Sequence, residues 1–215
     1  MKSSKKNSVA VRDFAVTSMF AAVIFLLAFT PIGFINFGVM KATIVHIPVI
    51  IGSITLGPAR GALLGALFGL TSLINAHINP SFMSFAFSPI IPIPGSAEGG
   101  GNILALLVCF GPRVLVGVVP YYTNKLLSSS RRTIRLISLS AAGVAGSMTN
   151  TLLVMHLIFF IFKDACAAAL NIPEAAVYSF VIGVIIGNGI PEAIAAGVFV
   201  PAVCHALLAY RRNAR

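Results

Sequence analysis

Long apolar runs, separated by short polar segments, make up most of this chain. The runs cover residues 14–29, 43–56, 59–75, 103–127, 136–162 and 176–210. Most of them approach or exceed the roughly 20 apolar residues that a helix needs to cross a bilayer, although 43–56 is short for a span. The pattern predicts six membrane helices in a single domain, 1–215, that begins with a polar tail at 1–11.

Proline and glycine positions predict where these helices are interrupted. Five such residues fall inside the fourth and sixth helices: Gly111, Pro112, Pro120, Pro191 and Pro201. Proline lacks a backbone donor and clashes with the preceding turn, so we expect breaks or kinks at these places. The segments 31–41 and 163–175 are expected to be connections between helices.

A segment of different character, 76–101, separates the third and fourth helices. It holds four prolines and ends in Glu98-Gly99-Gly100-Gly101, yet it also carries three closely spaced phenylalanines, Phe82, Phe85 and Phe87. Loops of this length are usually functional lids or disordered linkers. The phenylalanines are too apolar for a solvated linker and favour an ordered lid that lies on the protein.

Composition narrows the class of protein. Of the 215 residues, 58% are hydrophobic and 9% are charged, whereas soluble domains carry about 25% charged residues. A soluble fold of this size cannot bury so much apolar surface. The balance excludes a soluble enzyme, a disordered chain and a disulfide scaffold, and it leaves an integral membrane protein. The three cysteines stand alone in apolar sequence and are interpreted as core residues.

The basic residues are sorted along the chain. The 15 Lys and Arg exceed the 5 Asp and Glu, for a net charge of +10. With the N-terminus in the cytoplasm, twelve of the 15 lie on the cytoplasmic side, and Lys41 and Lys163 lie outside. This bias follows the positive-inside rule. We therefore predict an all-α integral membrane bundle of six transmembrane helices, with both termini cytoplasmic and the lid outside. The basicity reflects topology, and no nucleic-acid partner is predicted.

Catalytic motifs are missing from the sequence. It contains no GxxxxGK[ST] phosphate loop, no HExxH and no GxSxG. The carboxylates are too far apart in sequence to suggest an acid–base pair. We therefore predict no catalytic residue, no metal site and no cofactor in this chain. A membrane enzyme that uses His156, His205 or Glu192 is the disfavoured alternative.

The remaining basic residue, Arg113, has no topological reason for its place inside the fourth helix. Ionisable groups at membrane depth are costly and usually functional, and Glu192 lies at similar depth in the sixth helix. A guanidinium suits a carboxylate, which belongs either to Glu192 in a structural pair or to a ligand. Pro112 and Pro191 leave helix carbonyls without donors, which is tolerated only inside protein or at a cavity. The sequence therefore predicts a polar cavity that opens outward beneath the lid.

Small residues four apart allow membrane helices to approach closely. Two such glycine stripes predict packing within the protein: Gly57, Gly61, Gly65 and Gly69 in the third helix, and Gly183 and Gly187 in the sixth. A weaker stripe on the first helix, Thr17/Ala21 or Ser18/Ala22, faces either an internal neighbour or another subunit.

The stretch from Ala42 to Ile74 resembles the substrate-binding S components of energy-coupling factor (ECF) vitamin transporters, and the resemblance covers nearly the whole chain. Three short motifs are most similar to pantothenate-type members: His46-Ile47-Pro48, Pro112-Arg113-Val114-Leu115-Val116-Gly117 and Thr149-Asn150-Thr151. The resemblance implies a vitamin-binding subunit of an ATP-driven uptake transporter in the bacterial cytoplasmic membrane, with pantothenate as its substrate.

The resemblance also implies partners. S components associate with a membrane-embedded coupling (T) subunit and with two cytoplasmic ATPase subunits, which use the ATP. The S component then reorients in the bilayer to deliver its vitamin. Family members contact the coupling subunit through small residues of the first helix, which here are Thr17, Ser18, Ala21 and Ala22.

A pantothenate-type ligand, with one carboxylate, one amide and two hydroxyls, implies a role for each candidate residue. Arg113 would take the carboxylate, and Phe82 or Phe85 would cover the dimethyl group. The remaining candidates would bond the amide and hydroxyls or complete the site: His46, Asn75, Asn79, Asn150, Asn188 and Glu192. From the residues alone, His46 is equally consistent with a hydrogen-bonded packing role.

Two other functions stay open at this point. In the first, the ligand is another vitamin, of the folate, riboflavin, biotin or thiamine class. In the second, the protein is a stand-alone secondary transporter with Glu192 on its coupling-ion path. The absence of Trp and the presence of only four Tyr disfavour a site that stacks a flavin or pterin ring.

Overall fold

A computed structural model of the protein describes residues 2–37, 40–95, 101–129 and 131–213, and helices account for most of them. The elements are α1 (Lys2–Phe29), β1 (Phe34–Phe37), β2 (Met40–Thr43), α2 (His46–Leu56), α3 (Pro58–Ile78), α4 (Leu104–Val116), α5 (Val119–Leu127), α6 (Arg132–Leu170), α7 (Val177–Val184) and α8 (Ile190–Asn213). A π-helical turn, Ile185–Gly189, joins α7 to α8.

Within the described ranges, five helical stretches are long and apolar enough to cross a membrane: Ala10–Phe29, Pro58–Ile78, Leu104–Leu127, Thr133–Leu170 and Glu174–Leu207. The second predicted helix is the exception, because α2 has 11 residues. At 1.5 Å per residue it rises only about 16 Å, which is well short of the roughly 30 Å hydrocarbon core. The prediction of six full spans is therefore wrong at α2, and the helical character of the bundle is confirmed.

A β-hairpin precedes α2, where the sequence predicted only a connection. β1 and β2 pair antiparallel, with Phe34 opposite Thr43 and Phe37 opposite Met40. Aromatic and β-branched residues in β1 favour extended backbone, so the connection contains a short hairpin within an otherwise helical protein. The hairpin also moves the start of α2 from residue 43 to His46.

The hairpin and α2 together return the chain to the end of the bundle where α1 begins. Arg60 Nη1, at the start of α3, lies 2.6 Å from Asp13 Oδ2 near the start of the α1 span. α1 itself begins at Lys2, so the predicted polar tail is helical over the described residues.

The fourth predicted helix breaks at only one of its two expected positions. α4 runs without interruption through Pro112, and the break falls at Gly117 and Val118, just before Pro120. The ring of Pro120 clashes with the carbonyl four residues earlier, that of Val116. The predicted break at Pro120 is confirmed and the one at Gly111-Pro112 is wrong.

The last two predicted helices also differ in their bounds. α6 extends to Leu170 across a kink at Phe162, where φ is −126° and ψ is 26°. Residues 163–170 are therefore helical rather than a connection. The predicted kink near Pro191 takes the form of the π-helical turn, which ends at Gly189.

Glycines of α3 set the close packing of α3 on α4. A Cβ on Gly61 would overlap the Gly117 carbonyl oxygen, and one on Gly65 would overlap that of Arg113. Intramolecular packing of this stripe is thus confirmed, except that Gly57 serves the α2–α3 turn with φ of 94°. The predicted packing at Gly183 is wrong, because nothing lies within 4 Å of a Cβ built there.

The segment between α3 and α4 packs on the bundle through its described part. Ser84, Phe85, Ala86 and Ser88 are buried, and the Phe85 ring meets the Phe162 ring of α6 edge-on at 5.8 Å between centroids. Ser88 Oγ also lies 2.8 Å from His77 Nε2 of α3. Residues 96–100, including Glu98, lie outside the described residues.

Candidate ligand-binding site

A cavity of about 520 Å³ lies at the end of the bundle where α1 and α3 finish. Four parts of the chain form its walls: the end of α1 with Thr30 and Pro31, the segment from Thr43 to Val45, one face of α3, and the segment from Ser81 to Phe87. Arg113 of α4 completes the lining. The volume is typical of pockets that hold small organic ligands.

One face of α3 supplies much of the polar lining. The residues recur at helical spacing: Phe68, Thr71, Ser72, Asn75, Ala76 and Asn79. The Thr71 and Ser72 hydroxyls each donate to the Phe68 carbonyl oxygen at 2.9 Å. Asn79 Nδ2 donates to Asn75 Oδ1 at 2.7 Å. This face therefore presents hydroxyl and amide groups that are already oriented.

Arg113 is anchored by the proline that precedes it. Pro112 has no N–H, so the carbonyl four residues earlier, that of Val108, lacks its usual helical donor. Arg113 Nη1 donates to this oxygen at 2.8 Å. The helix therefore continues through Pro112, and the guanidinium is held at a defined depth, about 14 Å from the start of α4 at 1.5 Å per residue.

Two phenylalanine rings flank the Arg113 guanidinium. Its Cζ lies 5.6 Å from the centroid of Phe68 and 5.0 Å from that of Phe87. These distances fall within the range of cation–π attraction. Phe87 belongs to the α3–α4 segment, so that segment reaches the charged end of the cavity.

Arg113 has unused bonding capacity. The side chain is 6% exposed, and its Nε is buried without a hydrogen-bond partner. It makes no ion pair with any residue in the described parts of the chain. An unsatisfied buried group of this kind is costly, and a carboxylate that accepted from it would remove the cost.

Glu192 does not supply that carboxylate. Its Oε1 accepts from the backbone N–H of Thr43 at 2.7 Å, and its Oε2 accepts from the Thr151 hydroxyl at 3.1 Å. The hypothesis of a structural Arg113–Glu192 pair is therefore wrong in this structure. Geometry leaves Arg113 facing the cavity and Glu192 engaged elsewhere.

Three of the predicted site residues meet at the cavity: Asn75, Asn79 and Arg113. The predicted phenylalanines do not line it. Phe82 is 48% exposed, and Phe85 is buried against Phe162.

Four other candidates lie outside the cavity lining: His46, Asn150, Asn188 and Glu192. His46 is fully buried next to Val45, and its ring lies beside the backbone of Thr43. Asn150 and Asn188 are chain neighbours of Thr151 and Gly189, which contact each other. Of these candidates, Glu192 contacts Thr151 of α6.

Sequence reasoning missed several lining residues: Thr30, Thr43, Phe68, Thr71, Ser72, Ser84 and Phe87. The α3 members share one helical face with Asn75 and Asn79. This helical spacing is a sequence signal for a polar face on α3. The prediction for α3 rests on its glycine stripe alone, which indicates packing.

The small residues of α1 divide into two faces. Ser18 and Ala22 are exposed, whereas Thr17 and Ala21 are half-buried, with Ala21 packed against the core. Only 11% of the α1 span is buried within the protein, which is less than for any other span described. The Ser18/Ala22 face is thus open to lipid or to another subunit.

Comparison with known proteins agrees with this architecture. The family model described as ECF transporter, substrate-specific component matches residues 12–204. The chain is 35% identical over 214 residues to the pantothenic acid transporter PanT of Lactococcus lactis subsp. cremoris (strain MG1363), covering 99% of this chain and 100% of that protein. It is 28% identical over 199 residues to the pantothenate transporter PanT of Leuconostoc mesenteroides subsp. mesenteroides, covering 90% of each.

Proposed function

The chain belongs to the substrate-specific components of the ECF transporters, and from this premise we propose that the vitamin it binds is pantothenate. It is a multi-pass membrane protein and a transporter subunit rather than an enzyme. Both relatives described above are named for pantothenate transport. The chemistry of the cavity supports the same substrate for this chain.

The cavity lining matches the groups of pantothenate one by one. Among the described residues that line it, Arg113 alone carries a charge, and the ligand has one carboxylate. Hydroxyls and amides of Thr71, Ser72, Asn75 and Asn79 are available to the amide and the two hydroxyls of the ligand. Apolar lining residues, such as Ala28 and Val45, suit the dimethyl group.

The observation that carries the proposal is the buried Arg113, whose Nε has no partner. A hydrogen bond to a charged group contributes about 1.5–3 kcal/mol, which is roughly 10- to 100-fold in affinity. The purified protein should therefore bind pantothenate more tightly than the analogue in which an alcohol replaces the carboxylate.

Calorimetric titration of Arg113→Ala with both ligands tests this assignment. We expect the preference for the acid to disappear while the alcohol analogue still binds. Arg60→Ala, at the other end of the bundle, is the matched control and should keep the preference. Equal wild-type affinity for the two ligands, or a preference that survives Arg113→Ala, would refute the assignment. Binding of a different vitamin in place of pantothenate would reject the substrate and keep the class.

Charge sorting supports an orientation in the bacterial cytoplasmic membrane. Both termini and the segment between α5 and α6 would face the cytoplasm, because most Lys and Arg concentrate there. The cavity would then open to the outside, and the α3–α4 segment would act as its lid. In this orientation the protein captures substrate from the medium.

The exposed face of α1 is proposed to contact the coupling subunit, while two ATPase subunits use ATP on the cytoplasmic side. Support comes from the open Ser18/Ala22 face and the low burial of α1. Small residues permit close helix approach in a membrane. Cross-linking from Ala22→Cys to the coupling subunit in the assembled transporter tests this contact, and the absence of a cross-link would refute it.

A further inference from the structure

Thr43 is shared by two parts of the molecule. It lines the cavity, and its backbone N–H donates to Glu192 of α8 at 2.7 Å. Thr43 is the last residue of β2, opposite Phe34 of β1. An interaction that holds Thr43 therefore also holds the end of the hairpin that reaches the cavity.

Hydrogen bonds to both carboxylate oxygens hold the Glu192 side chain in place. It is 5% exposed, with Oε1 on the Thr43 N–H and Oε2 on the Thr151 hydroxyl at 3.1 Å. The residue does not line the cavity. A carboxylate is thus placed at membrane depth with its hydrogen bonds directed to the cavity wall and to α6, although such groups are costly there.

We propose that Glu192 is a positioning residue for the substrate site, which fixes Thr43 and the hairpin against α8 without touching the ligand. The hydrogen bond joins residues 149 positions apart in sequence, so it ties the first connection of the chain to its last helix. The inference rests on the proposed function for its affinity readout. It assigns to Glu192 a role other than ligand contact or ion coupling.

Other elements support the same junction. Thr151 also packs closely on Gly189 of the π-helical turn, just before α8, because a Cβ on Gly189 would lie only 2.9 Å from Thr151 Cγ2. The π-helical turn and α8 both contact β2. Single-turn π segments frequently mark functional sites. The junction therefore consists of β2, the π turn, α6 and α8, with Glu192 as its polar link.

The test compares two substitutions of similar volume. Glu192→Met removes both acceptors and introduces an apolar side chain that membrane protein can bury. Glu192→Gln keeps an amide oxygen that can accept from the Thr43 N–H. The loss of a single hydrogen bond corresponds to roughly tenfold in affinity, so Glu192→Met should raise the Kd for pantothenate by about that factor and Glu192→Gln should stay near wild type. Thr149→Val, which removes a hydroxyl that donates to the Ala145 carbonyl oxygen within α6, is the matched control and should also stay near wild type.

Hydrogen exchange of the ligand-free protein separates positioning from direct contact. With Glu192→Met, amides of the hairpin should exchange faster while those of α3 remain unchanged. Unchanged hairpin exchange, or an affinity equal to wild type for Glu192→Met, would overturn the proposal. If the wild-type protein does not bind pantothenate, the proposed function fails, yet the exchange measurement still decides the role of Glu192.

Discussion

At the scale of single residues, the position of the Arg113 side chain depends on the proline that precedes it. Pro112 frees the Val108 carbonyl, and Arg113 occupies it at 2.8 Å. The same guanidinium lies between Phe68 and Phe87. One nitrogen of Arg113 is therefore bonded within the protein, while the residue also lines the cavity and its buried Nε has no hydrogen-bond partner.

Phe87 is expected to contribute to the binding of an anionic ligand. Phe87→Leu keeps an apolar side chain but removes the ring that lies 5.0 Å from Arg113 Cζ. Cation–π attraction is worth about 1 kcal/mol, so the Kd for pantothenate should rise about fivefold. Titration calorimetry measures the change. The control, Phe82→Leu, alters an exposed ring outside the cavity lining and should leave the Kd unchanged; equal effects of the two substitutions would contradict the assignment.

Sequence reasoning found Arg113 because a charge at membrane depth stands out in any linear pattern. It did not find Phe87 or Phe68, since phenylalanine is common in this chain and only contact distinguishes one ring from another. It also joined Arg113 to Glu192, because two opposite charges at similar depth cannot be separated by sequence alone. The depth of a residue along a helix follows from its position in the sequence. The direction in which its side chain points around the helix does not.

At the scale of elements, α3 both packs on a neighbouring helix and lines the cavity. Its glycine face lies against α4, and its polar face lines the cavity. The contact at Gly65 falls on the backbone of Arg113 itself. The glycine stripe therefore also sets where the Arg113 backbone lies relative to the polar face of α3.

Gly65→Ala should weaken both the fold and the site. Its Cβ would overlap the Arg113 carbonyl oxygen, and such overpacking costs about 1–3 kcal/mol. We expect a lower midpoint in thermal unfolding of the purified protein and a higher Kd for pantothenate. Gly183→Ala is the matched control, because a Cβ there meets nothing within 4 Å. A Gly65→Ala protein with unchanged unfolding and affinity would show that α4 adjusts freely.

Element boundaries were less predictable than element existence. Each apolar run contains a helix, but the hairpin at Phe34–Thr43 and the helical stretch at 163–170 were assigned to connections. Hydropathy identifies segments that are apolar enough to enter the bilayer. It does not show how strands pair or how far a helix continues outside those segments. The short α2 shows the same limit of hydropathy. Its residues are apolar because neighbouring helices bury them, and not because the helix spans the membrane.

At the scale of the whole molecule, the two ends of the helix bundle differ. The cavity lies at the end where α1 and α3 finish, and the Asp13–Arg60 pair lies at the other. α1 is the least buried span among those described. One end would thus receive substrate, while one side remains open to a partner.

The proposed orientation predicts the result of cysteine labelling in intact cells. Ser128→Cys lies between α5 and α6, and Ala175→Cys lies between α6 and α7; both positions are exposed. A membrane-impermeant maleimide should label Ala175→Cys and should reach Ser128→Cys only after the membrane is opened. The native cysteines are buried, and the wild-type protein serves as the background control. The reverse labelling pattern would invert the topology.

The sequence by itself determined the class of protein, the helical bundle and the residue to examine first. Those conclusions depend on hydropathy and on the depth of a charge, which are local properties of the chain. The tertiary structure decided that α2 falls short of a span, that Arg113 and Glu192 have separate partners, and that the 81–87 segment presents Phe87 rather than Phe82. The length of α2 depends on the hairpin before it, and the other two outcomes depend on how helices and segments are oriented against their neighbours, including the rotation of each helix. Close packing between faces sets that rotation, and it has no counterpart in the pattern along a single helix.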